Sequence, residues 1–420
     1  MQHWGRERSR TDMILSKMLE RLVRVGELVV VDAAGKTHTF SGAPGPRAAI
    51  RFTDRRTEWQ VLLRPDPALG EAFMDGRLIL EQGNLYDLLD LCTLNLELLG
   101  SNPGPSLFDR SERLLRRFHQ YNPVPRARAN VAHHYDLSGR LYELFLDRDR
   151  QYSCAYFEHP GASLEEAQLA KKRHLAAKLL LRPGQTVLDV GCGWGGLGLY
   201  LARTTAVEVT GLTLSTEQLK VANDRASRTG LAVRAHFLLK DYREMTGEFD
   251  RIVSVGMFEH VGINHYDEYF AQLHRLLKPD GVAVLHSIGR MSGPWATSPW
   301  IRKYIFPGGY VPALSEVLPA VERQGLWVTD IEILRLHYAE TLRHWRERFL
   351  ANREQIRAIS DERFCRMWEF YLVISELFFR RHDGMVFQMQ LARQRDAVPL
   401  TRDYIGAWEA GHRTATGIAA

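Results

Sequence analysis

Cysteine is scarce. The 420 residues hold four, and Cys92, Cys154, Cys192 and Cys365 form no CxxC pair. That argues against a disulfide framework or a structural zinc site, and a reducing cytoplasm is the expected compartment. Long apolar runs are also missing. The most hydrophobic stretch, Leu85 to Leu99, is interrupted by Asp87, Asp90, Asn95 and Glu97, so nothing reaches the length of a membrane span. The arginine-rich start is followed by no apolar leader core, and no secretory signal is expected. No repeat or low-complexity tract stands out. Charge is nearly balanced, 55 basic against 50 acidic residues for a net +5. This permits an anionic partner without demanding one, and no nucleic acid is expected. His133 and His134 are adjacent but have no further ligands nearby, so no metal is expected.

What is present is ordinary globular composition, 45% apolar and 25% charged, long enough for two or three domains. Residues 1–102 read as a small α+β module. A helix is expected over Leu15 to Val25, with strands at Glu27–Asp32, Ala48–Phe52 and Glu58–Leu63. Gly42, Pro44, Gly45 and Pro46 mark a turn between the first two strands, and Leu85 to Leu99 reads as an amphipathic helix. A linker, 103–129, opens on Asn102-Pro-Gly-Pro105. It carries Arg110, Arg113, Arg116 and Arg117 beside Leu114, Leu115 and Phe118. Such a segment suits either an anionic membrane surface or a plain solvated helix.

From residue 130 to 420 strands alternate with helices. Thr186–Val190, Val207–Leu212, Val233–Leu239, Arg251–Val255 and Val282–Leu285 are five buried-type strands. Ser163/Glu166 and Ser215/Gln218 fit capping boxes. Alternation of this kind implies a doubly wound, mostly parallel α/β sheet. A Pro/Gly/aromatic loop (Gly293 to Pro312), a strand (Leu326 to Leu334), two long helices (Ala339 to Ile359, Glu362 to Arg381) and a last strand (Val386 to Ala392) complete the domain.

The first sheet strand runs into Asp189-Val-Gly-Cys-Gly-Trp-Gly-Gly196, in which Gly191, Gly193 and Gly196 satisfy GxGxxG. That pattern serves both dinucleotides and S-adenosylmethionine. A dinucleotide site wants an acid about 20 residues on; here the position reads Gly211-Leu-Thr-Leu-Ser215. Asp189, two residues before Gly191, suits a cofactor with a positive amino-acid end. Both details favour S-adenosylmethionine. Ligands of open α/β sheets lie outside the carboxyl ends of the strands. Glu259 and His286, at the ends of the fourth and fifth strands, should therefore converge beside the cofactor. His260 is the weaker candidate. Tyr156, Phe157, Tyr304, Phe306, Tyr310 and Phe378 are candidate pocket walls, although each ring read singly fits core packing better.

Several long motifs resemble the cyclopropane-fatty-acyl-phospholipid synthases and the related mycolic acid cyclopropane synthases. They are Val131-Ala-His-His-Tyr-Asp-Leu-Ser138, Gln151-Tyr-Ser-Cys-Ala-Tyr156, Asp189 to Gly196, Asp250 to His260 and Pro299-Trp-Ile-Arg-Lys-Tyr-Ile-Phe-Pro-Gly308. The likeness covers roughly residues 130 to 395, and Met74-Asp-Gly76 extends it loosely into the N-terminal module.

The resemblance implies a class I S-adenosylmethionine-dependent methyltransferase fold. It also implies methylene transfer to a cis double bond of an unsaturated membrane phospholipid, with a bound bicarbonate as base. That ion would sit near Cys154, Glu259, His286, Ile288 and Tyr338. Cofactor contacts carry over to Tyr152, Ser153, Gly191, Gly193, Thr213, Leu214 and Gln218, with Asp241 and Tyr242 on the adenine side. The family further suggests a homodimer, and the substrate suggests peripheral attachment to the inner membrane face. Many members carry a cysteine where this chain has Ser375; that position is expected to line substrate or pack. A methyl- or methylene-branched product is the alternative within the same chemistry, and a non-enzymatic lipid carrier or cofactor-binding regulator is the alternative outside it.

Overall fold

The computed structural model describes residues 19–98, 120 and 139–413. The basic linker arginines and the His133-His134 motif lie outside the described residues. Two compact units emerge. Among the described residues one comprises 19–98, Ser298–Ile305 and Phe349–His382, and the other comprises 120, 139–297, 306–348 and 383–413. Compactness thus cuts the chain differently from the linear boundaries at 102 and 129. The late helix and part of the aromatic loop pack with the N-terminal residues.

The first unit holds a four-stranded sheet of β1 (Val25–Val31), β2 (Thr37–Ser41), β3 (Ala43–Phe52) and β4 (Leu78–Gln82), in the order β2-β1-β3-β4. The Pro44–Pro46 stretch, expected as a turn, lies inside β3. It falls where the β1–β3 register slips, between Val25/Ala43 and Glu27/Arg47, which is where a strand tolerates proline. The expected strand at Glu58–Leu63 is instead the end of a helix, α1 (Arg55–Leu63). Asp54 caps it by accepting the Thr57 N–H at 2.8 Å, and this capping outweighs the strand-like pattern of Trp59, Val61 and Leu63. Helices α2 (Pro65–Met74) and α3 (Leu85–Leu98) follow. Gly70 on α2 allows the Pro299–Tyr304 and Glu362–Arg381 helices to approach closely. A Cβ there would stand 2.4 Å from Trp300 Nε1 and 2.9 Å from Phe370. Trp300, part of a motif that carried the resemblance, is thus a packing residue of this unit.

The second unit begins with α4 (Gly139–Phe145) and α5 (Leu164–Lys178). It continues through β5 (Thr186–Val190), α6 (Gly196–Thr205), β6 (Glu208–Thr213), α7 (Thr216–Arg228), β7 (Ala235–Leu239), β8 (Phe249–Val255), α8 (Tyr266–Leu276) and β9 (Leu277–Arg290). Then come α9 (Leu314–Arg323), β10 (Trp327–Leu334), α10 (His337–Ala351), β11 (Gly384–Ala392) and α11 (Asp403–Gly411). The expected single helix over Ala339 to Ile359 is two, α10 and Arg353–Ile359. The sheet order is β10-β11-β9-β8-β5-β6-β7. Strands β5 to β9 run parallel to one another, and β11 is antiparallel to both β9 and β10. This is the expected doubly wound, Rossmann-like architecture. Apolar cores build up around Leu188, Ile252, Phe270 and Leu285 in one cluster and around Leu175, Val187, Tyr200 and Val253 in another. The Ser163 capping box forms on both sides, whereas Ser215 accepts the Gln218 N–H but Gln218 does not reciprocate.

Candidate active site

A cavity opens at the carboxyl ends of β5, β6 and β8. All ten residues expected to bind cofactor line it: Tyr152, Ser153, Asp189, Gly191, Gly193, Thr213, Leu214, Gln218, Asp241 and Tyr242. Its floor is the glycine turn. Gly191 and Cys192 both donate their N–H groups to Leu212 O, at 3.0 and 2.8 Å, which ties the turn to β6. Gly191 and Gly193 have positive φ, and nothing lies within 4 Å of a Cβ built at Gly193. A ligand can therefore meet bare backbone there. Asp189, 1% exposed, has a buried Oδ2 with no hydrogen-bond partner. Burial raises its pKa to about 7, against the pull of the Lys171 ammonium. An orphaned acid on a cavity wall fits a cofactor that brings a cationic amine.

Across the cavity, Gln218 Oε1 accepts from Thr213 Oγ1 at 2.8 Å, and its amide N–H groups can meet ligand hydroxyls. The Asp241 carboxylate is already held by Arg243, at 2.9 and 2.8 Å. Its side chain is thus partnered within the protein.

Below this wall lies a polar cluster that sequence reasoning missed. Lys171 donates to Gln151 Oε1 and to Ser153 Oγ, each at 2.8 Å. Asp149 pairs with Lys172 and Arg225, and Arg225 also donates to Trp194 O at 2.9 Å. Gly196 permits this approach, since a Cβ there would stand 2.3 Å from Gln151 Nε2. Burial lowers Lys171 to about 8, with Asp147 opposing. The signal in the sequence was an Lys171-Lys172-Arg173-His174 run on a helix, which ordinarily marks a solvated face. All four are buried here.

The five expected catalytic residues lie off the lining of this cavity. Glu259 sits in a short 3₁₀ turn after β8, 8% exposed. Its Oε1 accepts the Ile288 N–H at 2.7 Å, while Oε2 is buried without a partner. Burial raises its pKa to about 7, which the Ile288 hydrogen bond moderates. His286 is instead tied to Gln388 on β11, its Nδ1 lying 3.1 Å from Gln388 Nε2. Among the described residues no hydrogen bond joins Glu259 to His286; Glu259 instead meets β9 at Ile288, two residues beyond His286. The Cys154 thiol contacts Ala155 O at 3.3 Å, and burial raises its pKa strongly. Tyr338 packs edge-on against Trp345 at 5.8 Å. Chain neighbours link this group to the cavity, because Ser153, Met257 and His260 all line it. Burial drives His260 down to about 4, which leaves it neutral.

The sequence profile of the mycolic acid cyclopropane synthetases matches residues 124–389. The chain belongs to that family. It is 39% identical over 335 residues to the cyclopropane-fatty-acyl-phospholipid synthase of Escherichia coli K12, covering 80% of this chain and 85% of that one. It is 40% identical over 281 residues to the tuberculostearic acid methyltransferase UfaA1 of Mycobacterium tuberculosis, covering 64% and 66%. The crystal structure of the mycolic acid cyclopropane synthase CmaA1 complexed with SAH and CTAB superposes with a TM-score of 0.60 at 36% identity, covering 64% of this chain and 98% of that one. The fold is that of a class I S-adenosylmethionine-dependent methyltransferase.

The aromatic residues expected to wall a substrate pocket have varied surroundings in this cyclopropane synthetase family member. Tyr156 is sandwiched between His174 and His337, with ring centres 4.3 and 4.9 Å away, and Phe157 stacks on His344 at 5.6 Å. Neither lines the cavity, because stacking on the imidazoles takes up their faces. Tyr310 is buried and donates to Glu316 at 2.7 Å. Phe306 packs edge-on against His260 at 5.9 Å. Tyr304, Ser375 and Phe378 belong to the other compact unit. There Tyr304 donates to Glu71 at 2.9 Å, and Ser375 and Phe378 are half-buried on the Glu362–Arg381 helix.

Proposed function

We propose that the protein transfers a methylene group from S-adenosylmethionine to a cis double bond of an unsaturated phospholipid acyl chain and closes a cyclopropane ring. One observation carries this reading: a buried carboxyl, Glu259, with an unpartnered oxygen and a raised pKa, follows the strand end beside the cofactor cavity. Methyl transfer to an isolated alkene needs close positioning. It leaves a cation on the acyl chain that must lose a proton before the ring can close. When bound, S-adenosylmethionine supplies the electrophilic methyl group. Asp189 would receive its ammonium end, Gln218 would donate to its ribose hydroxyls, and the turn at Gly191 and Gly193 would give it room.

Glu259, near neutrality in its proton affinity, can donate a hydrogen bond from Oε2 as a neutral acid. A bicarbonate ion held there would supply the base. Cys154, His286 and Tyr338 are its further expected contacts, and Ile288 acts through the N–H it gives to Glu259. Cys154, Glu259 and His286 are buried, and such burial would keep water from trapping the cation.

The substrate suggests work at a lipid surface, on the cytoplasmic face of the inner membrane, and the family suggests a homodimer. Among the described residues no helix is long and apolar enough to cross a membrane. Helix α1 exposes Trp59 and Leu63, one turn apart, beside Arg55, Arg56 and Arg64, a combination suited to an anionic interface. The test is incubation with unsaturated phospholipid vesicles and methyl-labelled S-adenosylmethionine, followed by proton NMR of the acyl chains. Cyclopropane ring protons are expected. A branched chain would support the second reading, which the likeness to a tuberculostearic acid methyltransferase favours. No label in lipid would favour a carrier or regulator.

A further inference from the structure

His286 meets a buried polar chain that the reaction scheme leaves unused. Its partner across the β9–β11 ladder is Gln388. Gln388 Nε2 lies 3.1 Å from His286 Nδ1, and Gln388 Oε1 accepts from Lys178 Nζ at 2.7 Å. Lys178, on α5, also pairs with Glu332 on β10. His174, one turn earlier on α5, reaches Glu332 through Nε2 at 2.6 Å and Glu409 on α11 through Nδ1 at 2.7 Å. His286, Gln388, Lys178 and His174 are all buried.

Donor and acceptor chemistry fixes the protons along this chain. An ammonium has three donors and no acceptor. Gln388 must therefore turn its oxygen to Lys178, which leaves its N–H for His286. The Nδ1 of His286 must accept, so the neutral ring carries its proton on Nε2. A proton on Nδ1 would face another donor. It would also add a buried cation near Lys171, Lys178 and His174, with Glu332 the opposing charge; burial first, and then these cations, hold His286 well below its ordinary pKa. At the outer end both nitrogens of His174 meet carboxylates, so both donate. Burial works against that charge, but hydrogen bonds to Glu332 and Glu409 override it and raise the pKa of His174. The two cations, His174 and Lys178, balance the two carboxylates.

We propose that Gln388, aimed by Lys178, is a positioning residue that locks His286 as a neutral ring protonated on Nε2, so that His286 serves the reaction only as a hydrogen-bond donor. The proposal rests on reading His286 as part of the catalytic group. It leaves the product proton to the Glu259 side. Gln388 does not line the cofactor cavity, so cofactor affinity is an independent control.

The test uses the full-length protein with ¹⁵N-labelled histidine rings, assigning the His286 signals with His286→Asn. Across pH 6 to 8 the wild-type ring is expected to stay neutral with Nε2 protonated. In Gln388→Glu a carboxylate can accept from Lys178 and from His286 Nδ1. The ring proton should move to Nδ1, or the ring should charge with a midpoint inside that range. Turnover should fall roughly a hundredfold, with S-adenosylhomocysteine affinity within about twofold of wild type. Lys178→Met, which removes the cation that aims the amide, should give a mixture of ring tautomers. An Nδ1-protonated wild-type ring, one titrating near 6.5, or unchanged ring signals in both variants would overturn the proposal. Full turnover in His286→Asn would remove the catalytic reading, while the ring measurement would still decide the proton lock.

Discussion

Replacing Glu259 by glutamine separates chemistry from stability. The amide oxygen can still accept the Ile288 N–H, now 2.7 Å from Oε1, so the local backbone should hold. The orphaned Oε2 becomes an NH₂ group that cannot titrate. An ordinary glutamate titrates near 4.5 and Glu259 near 7. The folded state therefore binds this proton more tightly than the unfolded chain, and stability falls as pH rises from about 4.5 through about 7. Carrying the charge at pH 8 costs on the order of 3 kcal/mol. Glu259→Gln removes that cost, so the variant should melt above wild type at pH 8 and close to it at pH 4.5. Its turnover should drop by roughly 10²–10³, the usual loss when one preorganised polar group is removed. Affinity for S-adenosylhomocysteine should barely change, because Glu259 does not line the cofactor cavity. The assays are thermal unfolding at two pH values, label transfer into unsaturated vesicles, and titration calorimetry. Wild-type turnover without added bicarbonate would refute the catalytic role, and a lower melting point at pH 8 would refute the burial argument.

Asp189→Asn should weaken cofactor binding about tenfold or more at pH 8, through loss of a charge-assisted contact. Wild-type affinity should decline as pH falls below about 7, where the carboxyl becomes neutral, and the variant should lose that dependence. Calorimetry across pH checks both, and an equal pH dependence in the two proteins would exclude Asp189 as the source. Ser375→Ala should retain most turnover in the vesicle assay, whereas total loss would give this half-buried hydroxyl a part in the reaction. Gly70→Ala should cost about 2 kcal/mol in urea unfolding, since its Cβ would stand 2.4 Å from Trp300 Nε1. A loss too small to measure would mean that Trp300 yields easily.

What the sequence alone determined was local. A glycine-rich turn and an acid at a strand end are short-range signals, and they pointed to Asp189, Gly191 and Gly193; the other seven of the ten expected residues on the cavity wall came with the family resemblance. The alternation of strands and helices likewise determined the sheet. Where two local signals competed, the reading failed: a strand-like pattern at Glu58–Leu63 lost to the Asp54 cap, and prolines read as a turn lie at an irregular part of β3. Long-range decisions were beyond reach. The charged run on α5 reads as solvated until β10, α11 and the segment 149–158 bring partners to it. Burial then turns Lys171 into a support for the cofactor wall and Lys178 into the cation that orients Gln388. His286 was visible as a strand-end histidine, but its proton arrangement depends on a strand about a hundred residues later. Only the tertiary fold decides that, because a proton's place is set by which donors and acceptors burial forces together.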